Sequence, residues 1–416
     1  MIDKLINRFF YDLPKDVKYN FRINIIAMIF AGLFSGSYGA FYGVIAREEF
    51  HAGAFWIGLI FASMSITGVL GFIAAGFVPK GHEHIWSKYI HIISSIFLIL
   101  TPISKNEKEF CILLFLFHLT ACYSPLVGAI TGYIYPLNLR SRLLGFSKTF
   151  SSLTNMILTL LVGSVINMQI YGIKCWGIIF VISGIFHAFL GIMRSKYKLT
   201  VESEAGEKFS VFLKNSLLLL KIKHNIILII SGMVLTIGIT MFSTLYPMFQ
   251  VDALHINGKE VSVISVISSL SIIFTYPILG AFYSKKNPIT AWFYIFPSAV
   301  ILPLFYVFTV NSWYPLILGS MLNTFFAVTY DLAWLNLVIY LGGNNKIKDY
   351  QAFYALIMGI RAVIGLLISS WIINYCEHLS FGVSFNLKIG FIIGIVFIFI
   401  SFLITLPLLS MKNKQS

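Results

Sequence analysis

Residues 50–81, FHAGAFWIGLIFASMSITGVLGFIAAGFVPKG, and residues 254–286, LHINGKEVSVISVISSLSIIFTYPILGAFYSKK, are two copies of one pattern. His255 lies 204 positions after His51, and Gly258 lies 205 after Gly53. Each copy passes from a His and a Gly into an apolar run and ends at a glycine followed by lysine. A run of about 20 apolar residues crosses a bilayer as a helix, so the repeat pairs one spanning helix with another. A second pair extends it: CYSPLVGAITGYIYPLNLRSRLLGF at 122–146 aligns with TYDLAWLNLVIYLGGNNKIKDYQAF at 329–353, through Tyr123 and Tyr330, an offset of 207. Two halves of equal helix number therefore follow one another in the same orientation.

Composition agrees. The chain is 58% hydrophobic, 16% aromatic and only 11% charged, against about 25% charged in soluble domains. Reading for spanning runs gives twelve, near 22–46, 54–78, 87–104, 109–134, 149–171, 174–193, 224–248, 260–283, 289–310, 312–340, 350–374 and 386–410. The expectation is an all-α integral membrane protein with twelve transmembrane helices in two pseudo-symmetric six-helix bundles. The bundles are 1–193 and 224–416, joined by a linker, 194–223, that holds a short amphipathic helix on the membrane surface. Residues 1–21 lack the apolar core of a cleavable signal, so the first span acts as its own signal.

The net charge of +14 reads as a topology signal rather than a nucleic-acid footprint. With both termini and the linker cytoplasmic, that side receives 23 of the 30 Lys and Arg, the other side receives 6, and Arg361 remains within a span. The expected location is the cytoplasmic (inner) membrane. Cys111, Cys122, Cys175 and Cys376 form no CxxC pair and no metal-type spacing, and read as inert buried thiols. Nucleophile and metal motifs of the GxSxG and HExxH kinds are absent, as is the GxxxxGK[ST] nucleotide loop, so neither an enzyme nor an ATP-driven pump is expected and no cofactor is implied.

The six-plus-six organisation, the basic central loop and YPLNLRSRLLG after the fourth span resemble the major facilitator superfamily over essentially the whole chain. The resemblance implies a secondary transporter that works by alternating access around a midplane site. The superfamily signature between the second and third helices, a glycine followed by an acid and then basic residues, is poorly kept. AGFVPKGHEH supplies Gly76, Lys80 and Gly81, and LGAFYSKKN supplies Gly280, Lys285 and Lys286, without the acid in place. Arg140 and Arg142, after the fourth span, are the expected gating residues.

Polar residues at helical spacing mark candidate cavity walls. Substrate contacts are expected from Tyr38, Tyr42, His118, Asn155, Thr240, Thr324, Tyr354 and Arg361. In MGIRAVIGLL, 358–367, Arg361 is a cation in a wholly apolar setting, and a charge at a helix centre costs about 2.5–3.5 kcal/mol on insertion scales. Asp331 is the one comparable acid, and equal depth on consecutive antiparallel helices suggests that the two pair. Either the pair is structural, or Arg361 attracts an anionic group while Asp331 takes up a proton. His118 is a second coupling candidate, because imidazole titrates in the physiological range. The expected solute is a small anionic or zwitterionic organic molecule taken up with a proton by a monomeric symporter. Efflux of a drug or siderophore, and a non-transporting sensor with the same fold, are the alternatives.

Overall fold

The computed structural model describes residues 13–79, 81–135, 137–170, 173–199, 209–283, 286–310, 312–342, 347–379 and 381–409. The first span is α1 (Lys15–Tyr38) continued by α2 (Tyr42–Glu48); then come α3 (Ala54–Phe77), α4 (Glu83–Leu100), α5 (Glu107–Thr120) with α6 (Ser124–Ile134), α7 (Leu137–Val165) and α8 (Cys175–Arg194). The linker contributes α9 (Phe209–Leu218). The second half consists of α10 (Lys223–Met248), α11 (Gly258–Tyr283), α12 (Pro288–Phe293) with α13 (Ile295–Phe308), α14 (Tyr314–Gly342), α15 (Ile347–Glu377) and α16 (Val383–Thr405). A two-residue hairpin, Gln169–Ile170 with Ile173–Lys174, sits between α7 and α8.

Eleven of the described spans are long and apolar enough to cross a membrane; the remaining predicted span corresponds to α7, which starts about twelve residues earlier than expected because LNLRSRLLG, 137–145, is already helical. Three spans predicted as single helices are broken, the ninth of them only at Tyr294. The fourth breaks at Ala121–Tyr123, where Pro125 in the first turn of α6 supplies no backbone donor; the first breaks between Tyr38 and Tyr42. We call the side carrying α9 the linker face and the other side the far face.

The internal repeat is visible in three dimensions. α2 and the turn after α10 close in the same way: Ala52 N–H donates to Ala46 O and Ile256 N–H to Gln250 O, both at 2.9 Å. His51 and His255 both take left-handed backbone angles, φ 54° and 52°, the conformation that closes a helix C-terminus.

The halves meet along two antiparallel seams. Along α7 and α11, Lys148 meets Tyr276, Asn155 meets Ser269 and Ile166 meets Gly258. Along α3 and α15, Gly68 meets Ala355 and Gly58 meets Leu366. In every pair the residue numbers sum to 423 or 424, so a pseudo-twofold with an offset of 205 converts one seam into the other. The α3/α15 seam depends on small residues, as membrane helix pairs do. A Cβ on Gly68 would stand 2.2 Å from the Ala355 carbonyl oxygen.

Candidate functional site

Arg361, on α15, is 5% exposed. Its guanidinium lies against Gly232 of α10, where a Cβ would come within 2.1 Å of Nη1. Nη2 donates to the Tyr330 hydroxyl at 3.3 Å, and that hydroxyl faces the Met358 sulfur at 3.9 Å. Tyr330 packs beside Trp334 and Trp292, and Trp334 meets Tyr354 edge-on at 4.9 Å. Tyr354 donates to Asn225 Oδ1 at 2.8 Å. Among the described residues no carboxylate pairs with Arg361, whereas Arg47, Lys148 and Lys174 each hold one. A buried charge without a counter-charge is costly, and the aromatic collar keeps lipid away from it.

The predicted Asp331–Arg361 pair is not formed. Asp331 Oδ2 accepts instead from Lys148 Nζ at 2.7 Å and from the Tyr276 hydroxyl at 2.5 Å. Two physical reasons apply. Successive helical residues point about 100° apart, so Tyr330 faces Arg361 while Asp331 faces α7 and α11. The helix start is also earlier than expected: Ile347 places Arg361 roughly 21 Å from the linker face at about 1.5 Å per residue, against roughly 16 Å for Asp331. Lys148, expected on the cytoplasmic side, is thus a cross-bundle partner. Its side chain is 40% exposed and that of Asp331 49%. The pair is thus half-exposed at the seam between the halves, at a depth where charges are disfavoured against hydrocarbon.

In the first half, Tyr38, Tyr42 and His118 come together. Tyr38 stacks on Tyr42 at 4.7 Å, and its hydroxyl bonds to His118 Nε2 at 2.7 Å; all three are buried. Asn155 bridges the halves, donating to Ser35 Oγ and accepting from Ser269 Oγ, each at 2.7 Å. Two other candidates turn inward onto helix partners. Thr240 donates to its own helix at Thr236 O, and Thr324 bonds to Met321 O and faces Thr275 of α11 at 3.1 Å. Arg140 and Arg142 fall in the start of α7, whose side chains from 137 to 142 lie outside those described.

Three features were not legible in the sequence. On the far face, Arg47 Nη2 and Nε clamp Asp252 across the bundles at 2.6 and 3.1 Å. Near the linker face, Arg194 is 6% exposed although it was expected in the linker. Its Nη1 donates at 3.0 Å to His91 Nε2, because His91 Nδ1–H is engaged by Ser87 O at 2.6 Å. His187 lies 4.7 Å from the His91 ring, bonded to Ser94 at 3.1 Å. Glu83, the acid within AGFVPKGHEH, is buried and accepts from Gly81 N–H at 2.8 Å, so a buried acid stands after the lysine instead of before it. Only the offset of 205 between Arg47 and Asp252 was available as a signal.

No curated protein sequence matches the chain. Among solved structures it is similar to a mutant form of the nucleoside transporter NupG (TM-score 0.69, 12% identity, covering 92% of this chain and 98% of the other). It is also similar to a bacterial homolog of the human lysosomal transporter Spinster, inward-facing and unoccupied (0.65, 11%, 94% and 98%), and to a mutant form of the E. coli fucose:proton symporter FucP (0.60, 13%, 94% and 99%). The Major Facilitator Superfamily profile matches residues 24–365. With its helical architecture and duplicated halves, the chain belongs to the major facilitator superfamily, a family of transporters rather than enzymes.

Proposed function

We propose that the protein is a proton-coupled uptake carrier for a small organic solute bearing a negative group, anionic or zwitterionic. The observation that carries this reading is Arg361, a buried cation with a tyrosine hydroxyl beside it and no carboxylate partner among the described residues. A solute carboxylate or phosphate completes that environment with a charge-assisted, bidentate pairing that guanidinium suits better than ammonium. Asp331 is the coupling group. A proton there removes the charge that holds Lys148, and so loosens the bond between α7 in one half and α14 in the other. Two fold neighbours named as a nucleoside transporter and a fucose:proton symporter support polar-solute carriage and proton coupling. The 23 to 6 split of basic residues supports a cytoplasmic linker face.

The test is a melting-temperature screen of purified protein against organic acids, amino acids and phosphorylated metabolites, followed by uptake of any hit into liposomes under an imposed pH gradient. Stabilisation of the native protein by a negatively charged solute, lost in Arg361→Gln, is expected. Stabilisation only by neutral or cationic solutes overturns the reading. Accumulation that needs ATP while an imposed gradient has no effect also overturns it.

A further inference from the structure

The linker helix α9 has two unlike sides. One packs on protein: the Phe209 ring stacks on Phe77 of α3, centroids 4.8 Å apart and planes within 4°, and meets Phe72 at 6.4 Å. Leu213 joins Phe72 and Leu356 of α15 in the same cluster, so α9 touches the linker-face ends of both seam helices, one from each half. The other side has no partner among the described residues. Val211 is 43% exposed and Leu218 46%, while Leu217 at the flank (46%) and Leu220 past the end of the helix (39%) extend the exposed apolar surface. Lys214, Lys221 and Lys223 are exposed among them. At about 100° per residue, Val211, Lys214 and Leu218 fall on the side away from Phe209 and Leu213.

We propose that this second side docks on the surface of a bilayer containing anionic lipid, and that lipid charge thereby sets how firmly α9 straps the ends of α3 and α15 together. Three observations select the bilayer as occupant. First, α9 is held at membrane level, because α8 ends at Arg194 and α10 begins at Lys223 on the same face. Second, its apolar side continues the exposed apolar belt of the spans, where Phe77 is 64% exposed. Third, residues 209–223 carry three lysines and no acid, the charge pattern that anionic headgroups attract. The strap follows from geometry: α9 cannot sink toward the headgroups without carrying Phe209 and Leu213, which link it to both halves.

The experiment uses the full chain with its four cysteines replaced by serine, accepted only if its melting temperature stays close to that of the native chain. Bimane attached at Leu218→Cys is compared between vesicles of phosphatidylcholine alone and vesicles with about one third phosphatidylglycerol. Disulfide formation between Phe77→Cys and Phe209→Cys is followed in the same two vesicles. The expected result with anionic lipid is a blue-shifted bimane, at least about two-fold less accessible to an aqueous quencher, and several-fold faster cross-linking. Both effects should vanish in Lys214→Gln/Lys221→Gln/Lys223→Gln. Bimane equally quenched in both vesicles overturns the docking, as does a lipid response that survives loss of the lysines. A bimane response without any change in cross-linking overturns the strap.

Discussion

Arg47 and Asp252 lie 205 residues apart, one step from the local register of 204 set by His51 and His255, and they hold each other between the two halves by three N–H to carboxylate contacts of 2.6 to 3.1 Å. Opposite charges at near-equivalent positions meet where the two halves face each other at the far face. Arg47 also donates to the Ala52 carbonyl at 2.9 Å, so one guanidinium closes its own helix end and the far face together.

Breaking this clasp should favour opening of the far face. Arg47→Ala and Asp252→Ala should each raise thiol labelling of a cysteine placed between α2 and α10, by roughly five-fold, because a partly exposed pair contributes about 1 kcal/mol. Since the exchange keeps one charge of each sign in contact, Arg47→Asp with Asp252→Arg should restore labelling to the native level. An exchanged protein as open as the single variants would show that the two sites are not interchangeable.

Asp331→Asn should separate exchange from accumulation. Without a carboxylate to protonate, solute exchange across liposomes should continue while uptake driven by a pH gradient drops by about ten-fold or more. Lys148→Met alone leaves Asp331 unpaired beside Tyr276, whereas Lys148→Met with Asp331→Asn removes both charges. The double variant should melt at a higher temperature than Lys148→Met. Full pH-driven accumulation by Asp331→Asn would remove Asp331 from the coupling role.

Arg361→Gln should abolish solute-dependent stabilisation while the protein still folds, since the change relieves a buried charge that lacks a counter-charge among the described residues. Exchanging Asp331 and Arg361 should fail. Each would leave its observed partner, Lys148 or Tyr330, and Asp331→Arg would face Lys148, a like-charge contact. Loss of the half-exposed Lys148–Asp331 pair costs about 1 kcal/mol and the like-charge contact adds to it, so a melting temperature lowered by a few degrees is expected. A stable, active exchanged protein would restore the direct pair as the better account.

Two glycine substitutions should differ in kind. Gly232→Ala places a methyl 2.1 Å from Arg361 Nη1, the mobile end of a long side chain, so the guanidinium moves and the apparent affinity for solute falls. Gly68→Ala meets the Ala355 backbone oxygen at 2.2 Å, which cannot give without parting the helices, at a cost of about 1–3 kcal/mol. Comparison of melting temperature and half-saturation for the two variants checks this. A Gly232→Ala protein with native half-saturation would show that Arg361 is not held at the solute site.

What a residue costs in lipid is legible from its identity alone. Hydropathy marked the spans, because each apolar run satisfies its backbone internally and enters the bilayer without penalty. The repeat through His51 and His255 revealed the two halves, and insertion cost alone marked Arg361 and Asp331. Their partners became visible only once the helices were packed. An error of about one turn at the start of α15 and a step of about 100° between Tyr330 and Asp331 were enough to send two charges to different neighbours. Lys148 and Arg194 looked solvated because they stand near the ends of apolar runs; packing of helices far away in sequence encloses Arg194 and gives Lys148 its partner Asp331. Polar side chains in a membrane protein are held by groups on other helices, and one chain position carries no record of which helix faces it.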